Sequence, residues 1–123
     1  MLFTRIDHIA LDVSDIEKTV QFYGTIFGFQ VYSESTTKNG HNIIYMKLGD
    51  TILEISQQKE LVHSGYHFCI HTTNFEKAIS HLSAHNIPVY QPPHPTAPRT
   101  PSEKGWMRTV YRGLDGELIE IRG

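Results

Sequence analysis

Two short stretches, Thr51-Ile52-Leu53-Glu54-Ile55 and Glu117-Leu118-Ile119-Glu120-Ile121, constrain this chain more than any other feature. Each is an apolar run with an acid in its middle. Each also follows a turn pair, Gly49-Asp50 in the first case and Asp115-Gly116 in the second. Apolar runs bounded by turn residues read as β-strands. A carboxylate inside such a strand is costly to bury unless something positive meets it. Two acids in matching contexts point to one shared answer, and a metal ion is the simplest candidate.

The correspondence extends through the chain. Setting His8 on His67, an offset of 59 residues, brings Asp15-Ile16-Glu17-Lys18 onto Asn74-Phe75-Glu76-Lys77. Setting Glu54 on Glu120 needs an offset of 66, so the second half carries seven extra residues. They fit best in the Pro-rich segment from Pro92 to Pro101. The expected organisation is one domain, 1–123, built from two copies of a unit, 1–60 and 61–123. Each copy runs strand with His, helix, strands, strand with Glu. Internal repetition of this kind decides the fold before local propensities do.

In the first unit, residues 5–13 form a strand. Ser14 stands three before Glu17, a capping-box spacing that starts a helix. Ile16, Val20, Tyr23 and Phe27 recur at helical spacing, and Gly28 ends the helix in the left-handed conformation. Phe29 to Glu34 is a second strand. Thr37-Lys38-Asn39-Gly40 is a turn, and His41 to Leu48 pairs back as a hairpin. Gln57 to Ser64 links the units. In the second unit, Thr73 caps a helix through Glu76, with Phe75, Ile79 and Leu82 on its apolar face, ending near His85-Asn86. Ile87 to Tyr90 is a brief strand, and Pro88 marks it as an edge or a strand start. Residues 92–105 read as a loop, and Trp106 to Arg112 and Glu117 to Arg122 close the sheet.

Side chains two apart on a strand share a face. His8, Ala10 and Asp12 therefore oppose Ile9, Leu11 and Val13, and Ile52, Glu54 and Ser56 oppose Leu53 and Ile55. His67, Cys69 and His71 oppose Phe68 and Ile70, and Leu118, Glu120 and Arg122 oppose Ile119 and Ile121. With the apolar sets against the helices, two imidazoles and two carboxylates face a common cleft. Their charge of −2 balances a dication, and the nitrogen/oxygen set suits a borderline or hard divalent ion. Asp12 and His71 share that face and read as strand-end polar residues, with contact to substrate or support of the ligands as the alternative. Cys69 reads as a small buried hydrophobe, and His41, His63, His81, His85 and His94 as surface residues. Tyr45, Lys47, Trp106 and Arg108 are candidates for the cleft mouth, where Lys47 or Arg108 would attract an anion. Lys104-Gly105 is a candidate lid.

A formal charge of −2 supplies no basic face, so neither nucleic acid nor an anionic membrane is an expected partner. No run approaches the roughly 20 apolar residues of a membrane span, and no signal peptide is visible. Cys69, the one cysteine, cannot form an internal disulfide, which suits a reducing cytoplasm.

These residues resemble the vicinal oxygen chelate superfamily, which includes glyoxalase I, methylmalonyl-CoA epimerase, fosfomycin-resistance thiol transferases and extradiol dioxygenases. The likeness rests on Ile6-Asp7-His8-Ile9-Ala10-Leu11, Phe22-Tyr23 through Phe27-Gly28-Phe29, Leu53-Glu54, His67-Phe68, and Leu114 through Glu120. It implies an α+β fold of paired βαβββ units forming a curved mixed sheet around a metal cleft. The family's four ligand positions fall on His8, Glu54, His67 and Glu120. One divalent ion (Ni, Zn, Fe, Co or Mn) is implied per site, and a homodimer is common.

A His-Glu-His-Glu set looks like glyoxalase I, whereas methylmalonyl-CoA epimerase usually places an amide where Glu54 stands. The implied activity is a metal-dependent lyase or isomerase that moves a proton α to a carbonyl through a metal-bound enediolate. Its substrate would be a small carbonyl compound or thiol adduct. Glu120 is the first choice for the base by resemblance, with Glu54 the other candidate. Asp12 stands where glyoxalase I places a glutathione-anchoring arginine, and Gly113-Leu114-Asp115-Gly116 replaces its Asp-Pro-Asp-Gly turn, so the thiol partner stays open. Epimerase or thiol transferase activity is the enzymic alternative. A ligand-sequestering protein like the bleomycin-binding members is the alternative outside catalysis.

Overall fold

A computed structural model describes residues 2, 5–37, 40–61 and 67–123. The chain divides into two compact units, Met1–Val62 and His63–Gly123. The first contains β1 (Ile9–Val13), α1 (Ile16–Phe27), β2 (Gln30–Thr36), β3 (Asn42–Leu48) and β4 (Thr51–Gln57). Its sheet has the order β1-β4-β3-β2, with β1 parallel to β4 and the other pairs antiparallel. The second contains β5 (Phe68–His71), α2 (Phe75–Ala84), β6 (Val89–Pro95), β7 (Met107–Arg112) and β8 (Leu118–Arg122). Its order is β5-β8-β7-β6, again with one parallel pair, β5 to β8. The architecture is α+β, a four-stranded mixed sheet in each βαβββ unit.

The topology sets the parallel pair: α1 carries the chain to β2 at the far edge of the sheet, and two successive antiparallel pairings bring β4 back beside β1, running the same way. Alternation then sorts the side chains. Leu11, Val13 and Ile55 are fully buried with Tyr23 and Thr19 of α1, while Ala10 and Asp12 on the other face of β1 are exposed. In the second unit Ile119, Ile121 and Tyr111 bury with Leu82 of α2.

Both helices start one residue later than the capping-box spacing suggests. Asp15, not Ser14, is the N-cap of α1, its carboxylate accepting from the Lys18 N–H at 3.1 Å. Asn74, not Thr73, caps α2 and accepts from the Lys77 N–H at 3.0 Å. Asp and Asn serve this role as well as Ser or Thr, and these two caps are the residues the repeat superposes. Gly28 ends α1 at φ 81°, with its N–H and that of Phe29 on the last-turn carbonyls. The centre of the expected turn, Lys38-Asn39, lies outside the described residues, as does 62–66 of the link and the start of the second unit.

The Pro-rich stretch departs most from expectation. β6 runs through Pro92 and Pro93 to Pro95, where a loop was expected. It is an edge strand whose register against β7 slips between Val89 and Gln91 and again between Gln91 and His94. An edge leaves N–H groups outside the ladder, so prolines are tolerated there. The chain then makes one 3-10 turn at Pro101–Glu103.

Glu103 in that turn is buried. Its carboxylate accepts from the Arg99 Nε and backbone N–H at 3.0 Å and from Arg122 NH2 at 2.9 Å. Arg122 also donates to the Ala97 carbonyl at 3.2 Å. These bonds tie residues 97–103 to β8, and Trp106 beside them stacks on His71 at 5.1 Å. The Arg99 hydrogen bonds hold the Glu103 carboxyl at about 2, down from 4.5. A depressed carboxyl contributes stability that is complete above its unfolded pKa and is lost as pH falls through its folded one. Fluorescence of Trp106, the only tryptophan, should therefore change between pH 4.5 and about 2. Glu103→Gln should abolish most of that acid dependence. An unchanged titration would show that the tie carries no charge-dependent stability.

Candidate functional site

The parallel register places the first pair. Ala10 of β1 lies opposite Glu54 of β4, so His8, two residues earlier on the same face, reaches that carboxylate. The His8 Nε2 to Glu54 Oε2 distance is 2.8 Å, and His8 Nδ1 sits 3.0 Å from Asp7 Oδ2. The Asp7 hydrogen bond raises the His8 pKa, with the charges of Glu54 and Asp7 adding to it against desolvation. Tyr45 is the register partner of Glu54 on β3, and its ring meets His8 edge-on at 6.0 Å. Desolvation raises the Tyr45 phenol, and the Glu54 charge and hydrogen bond raise it further.

The second pair repeats this construction. Cys69 of β5 lies opposite Glu120 of β8, and His67 Nε2 is 3.0 Å from Glu120 Oε2. Here the carboxylate has another partner: Arg108 Nε donates to Glu120 Oε1 at 2.6 Å. Burial by itself would raise the Glu120 carboxyl, but the Arg108 hydrogen bond and charge, then His67, outweigh it and hold the group below its usual value. Arg108 NH1 donates to Gln91 Oε1 at 3.0 Å and lies 3.1 Å from His94 Nε2.

The donor set suits a divalent ion. Two donors at roughly 2.0–2.2 Å from one metal, on adjacent corners of its coordination sphere, stand about 3 Å apart. The His–Glu separations of 2.8 and 3.0 Å match that spacing, one nitrogen and one oxygen in each pair. The structure thus assembles the four sequence-predicted ligands as two pairs, one per unit. Among the described residues no group of three or more His, Cys, Asp and Glu side chains gathers as a metal cage.

The remaining candidates divide. Asp12 is exposed opposite Ser56. His71 is stacked on Trp106, its Nδ1 3.2 Å from the Arg122 carbonyl. Cys69 is exposed on the His67 face rather than buried. Desolvation, then the Glu120 charge, still pushes its thiol up to about 11, so it stays protonated and unreactive near neutrality. His94 is not a surface residue: it is half-buried on β6 against Arg108. His63 lies outside the described residues. The Glu117 carboxylate occupies the space a Cβ at Gly113 would take and accepts from the Asp115 N–H at 3.0 Å. Gly113 therefore cannot carry a side chain without displacing that buried acid.

Each βαβββ unit thus carries one His–Glu couple beside its parallel strand pair. The chain belongs to the Glyoxalase/Bleomycin resistance protein/Dioxygenase superfamily, whose model matches residues 5–121. It is 30% identical to human mitochondrial methylmalonyl-CoA epimerase over an aligned length of 97 residues, covering 68% of this chain and 54% of the epimerase. The chain thus spans about half the length of that relative. It is 29% identical to the metallothiol transferase FosB of Staphylococcus epidermidis, covering 98% of this chain and 82% of FosB. The fold is shared with the fosfomycin resistance protein FosX of Listeria monocytogenes, solved with Mn(II) and a dihydroxypropylphosphonic acid. That likeness has a TM-score of 0.76 at 17% identity, covering 97% of this chain and 91% of FosX. The superfamily thus includes enzymes. Among the described residues no helix is long and apolar enough to cross a membrane.

Proposed function

We propose that this chain is a divalent-metal-dependent isomerase or lyase of the glyoxalase I type. It would move a proton α to the carbonyl of a small 2-oxoaldehyde adduct or related compound. The observation that carries this reading is the same His–Glu couple at the same register in both units, 2.8 Å in one and 3.0 Å in the other. His8, Glu54, His67 and Glu120 would hold the ion, one per site, drawn from Ni, Zn, Fe, Co or Mn. When bound, such an ion supplies Lewis-acid withdrawal of charge from a substrate oxygen.

The chain's own residues do the rest. A positioned carboxylate takes the proton from the carbon next to the carbonyl and returns it to the neighbouring one. Asp7 accepts from His8 Nδ1, which fixes the ring and aims Nε2 at the site. The Tyr45 phenol, opposite Glu54 on β3, hydrogen-bonds that carboxylate. The Mn(II) in FosX and the metal in FosB's name support a metal. In this reading the protein works as a homodimer in the cytoplasm.

A second reading, epimerase, is favoured by the 30% likeness to the human enzyme. It shares the α-proton transfer and differs in substrate. Glu54, an acid where epimerases usually carry an amide, weighs toward the glyoxalase type.

Both are tested by incubating the protein with each of the five metals in D2O. Hemithioacetals of a 2-oxoaldehyde and an α-methyl malonyl thioester serve as substrates, with NMR to read the α-proton. Metal-dependent exchange in one substrate class is expected. No exchange in either class with any metal would overturn the proposal.

A further inference from the structure

The two His–Glu couples match, but their surroundings do not. Opposite Glu54 on the neighbouring strand stands Tyr45, and the diagonal residue, opposite Ser56, is Ile43. Opposite Glu120 stands Val110, and the diagonal residue, opposite Arg122, is Arg108. The repeat therefore places an isoleucine in one unit where the other has an arginine. Diagonal neighbours on a sheet face lie within reach of a long side chain, and Arg108 uses that reach to bond Glu120 Oε1 at 2.6 Å.

Arg108 is itself held. Its NH1 donates to Gln91 Oε1 at 3.0 Å. His94 Nδ1 lies 2.8 Å from the Pro92 carbonyl, which can only accept, so Nδ1 carries the proton. Nε2 is then the acceptor for Arg108 NH1 at 3.1 Å. Gln91 and His94 both flank slips in the β6 register, and such irregularities re-aim side chains. The guanidinium is pinned on both sides before it meets Glu120, whose side chain is 8% exposed against 17% for Glu54.

We propose that Arg108 is the positioning residue of Glu120, fixing Oε1 so that Oε2 alone is presented beside His67. Glu120 is then the ligand that stays put, and Glu54, which has Ile43 in place of the arginine and the neutral Tyr45 phenol in place of Val110, is the carboxylate free to swing. This reverses the order that resemblance gives the two acids. It rests on the metal reading above.

Calorimetric titration of the full chain with Ni(II) or Mn(II) alone, without substrate, tests it. Arg108→Met should weaken metal binding by about 10- to 100-fold, the usual cost of losing an orienting partner. Arg108→Lys keeps the charge and should recover part of that loss. In the unaltered background Glu120→Gln should cost at least about tenfold more affinity than Glu54→Gln, and in Arg108→Met the two should agree within about threefold. Arg108→Met binding as tightly as the unaltered chain, or equal losses for the two Gln variants in the unaltered background, would overturn the proposal. If Arg108→Met fails to fold, the comparison of Glu54→Gln and Glu120→Gln still decides. An unaltered chain that takes up neither metal would instead remove the metal reading on which both rest.

Discussion

Glu54→Gln is expected to lower turnover by about a hundred- to ten-thousandfold, the span a positioned acid–base group contributes, while the protein keeps its fold and most of its metal. The amide is the same size as the acid and still accepts a hydrogen bond from His8, so the β1–β4 pairing is undisturbed. What it loses is the ability to take a proton. Glu54 is only half-buried, and its partners are His8 at 2.8 Å and the Tyr45 phenol. Among the described residues nothing cationic and permanent holds it, in contrast to Glu120. Single-turnover kinetics beside metal analysis checks the expectation. A variant with ordinary turnover would remove Glu54 from the chemistry.

Leu11→Ala has the largest expected effect on stability. Leu11 is fully buried in the middle of β1, opposite Ile55, which is also fully buried. Truncating a buried leucine costs about 2–5 kcal/mol, the transfer loss plus the cavity left behind. Against a whole-domain stability of roughly 5–15 kcal/mol that is a large share. The same strand sets the register that brings His8 to Glu54, so loss of packing also loosens the couple. Urea unfolding should show a lower midpoint with an unchanged slope. A midpoint within experimental error of the unaltered chain would show that the β1–β4 seam does not depend on this side chain. The contrast with Glu54→Gln separates two layers of the same strand pair: one face holds the unit together, and the other presents the chemistry.

Much of this was legible from spacing. His8 and Glu54, like His67 and Glu120, stand out because strand alternation puts an isolated polar residue on the face opposite a run of Ile and Leu. The parallel pairing that joins them sets the first strand of each unit beside its last. The 59-residue offset even superposes the true helix caps, Asp15 and Asn74, although the capping-box spacing favoured the residue before each.

Arg108, Gln91 and His94 were harder. Three prolines between Tyr90 and Thr96 look like a loop, and only pairing with β7 reveals an edge strand that aims His94 inward. Glu103 was hidden for a similar reason. An acid in a polar, Pro-rich stretch reads as solvated until Arg99 and Arg122 are seen to close on it. Cys69 reads as buried from the apolar tendency of cysteine, but its position on the polar face of β5 leaves it exposed.

The central claim is that the two His–Glu couples bind a divalent metal, and elemental mass spectrometry of protein purified without chelator tests it most directly. Beside it belongs a His67→Ala control, which removes the nitrogen of one couple and leaves Glu120 on Arg108. The expected result is about one nickel, iron, cobalt, manganese or zinc ion per site, held by the four nitrogen and oxygen donors, lost in the control. The contradicting result is a chain that carries no metal and gains no thermal stability from any of the five ions. The couples would then be internal His–carboxylate bridges, and the fold would be a binding scaffold rather than a metal enzyme.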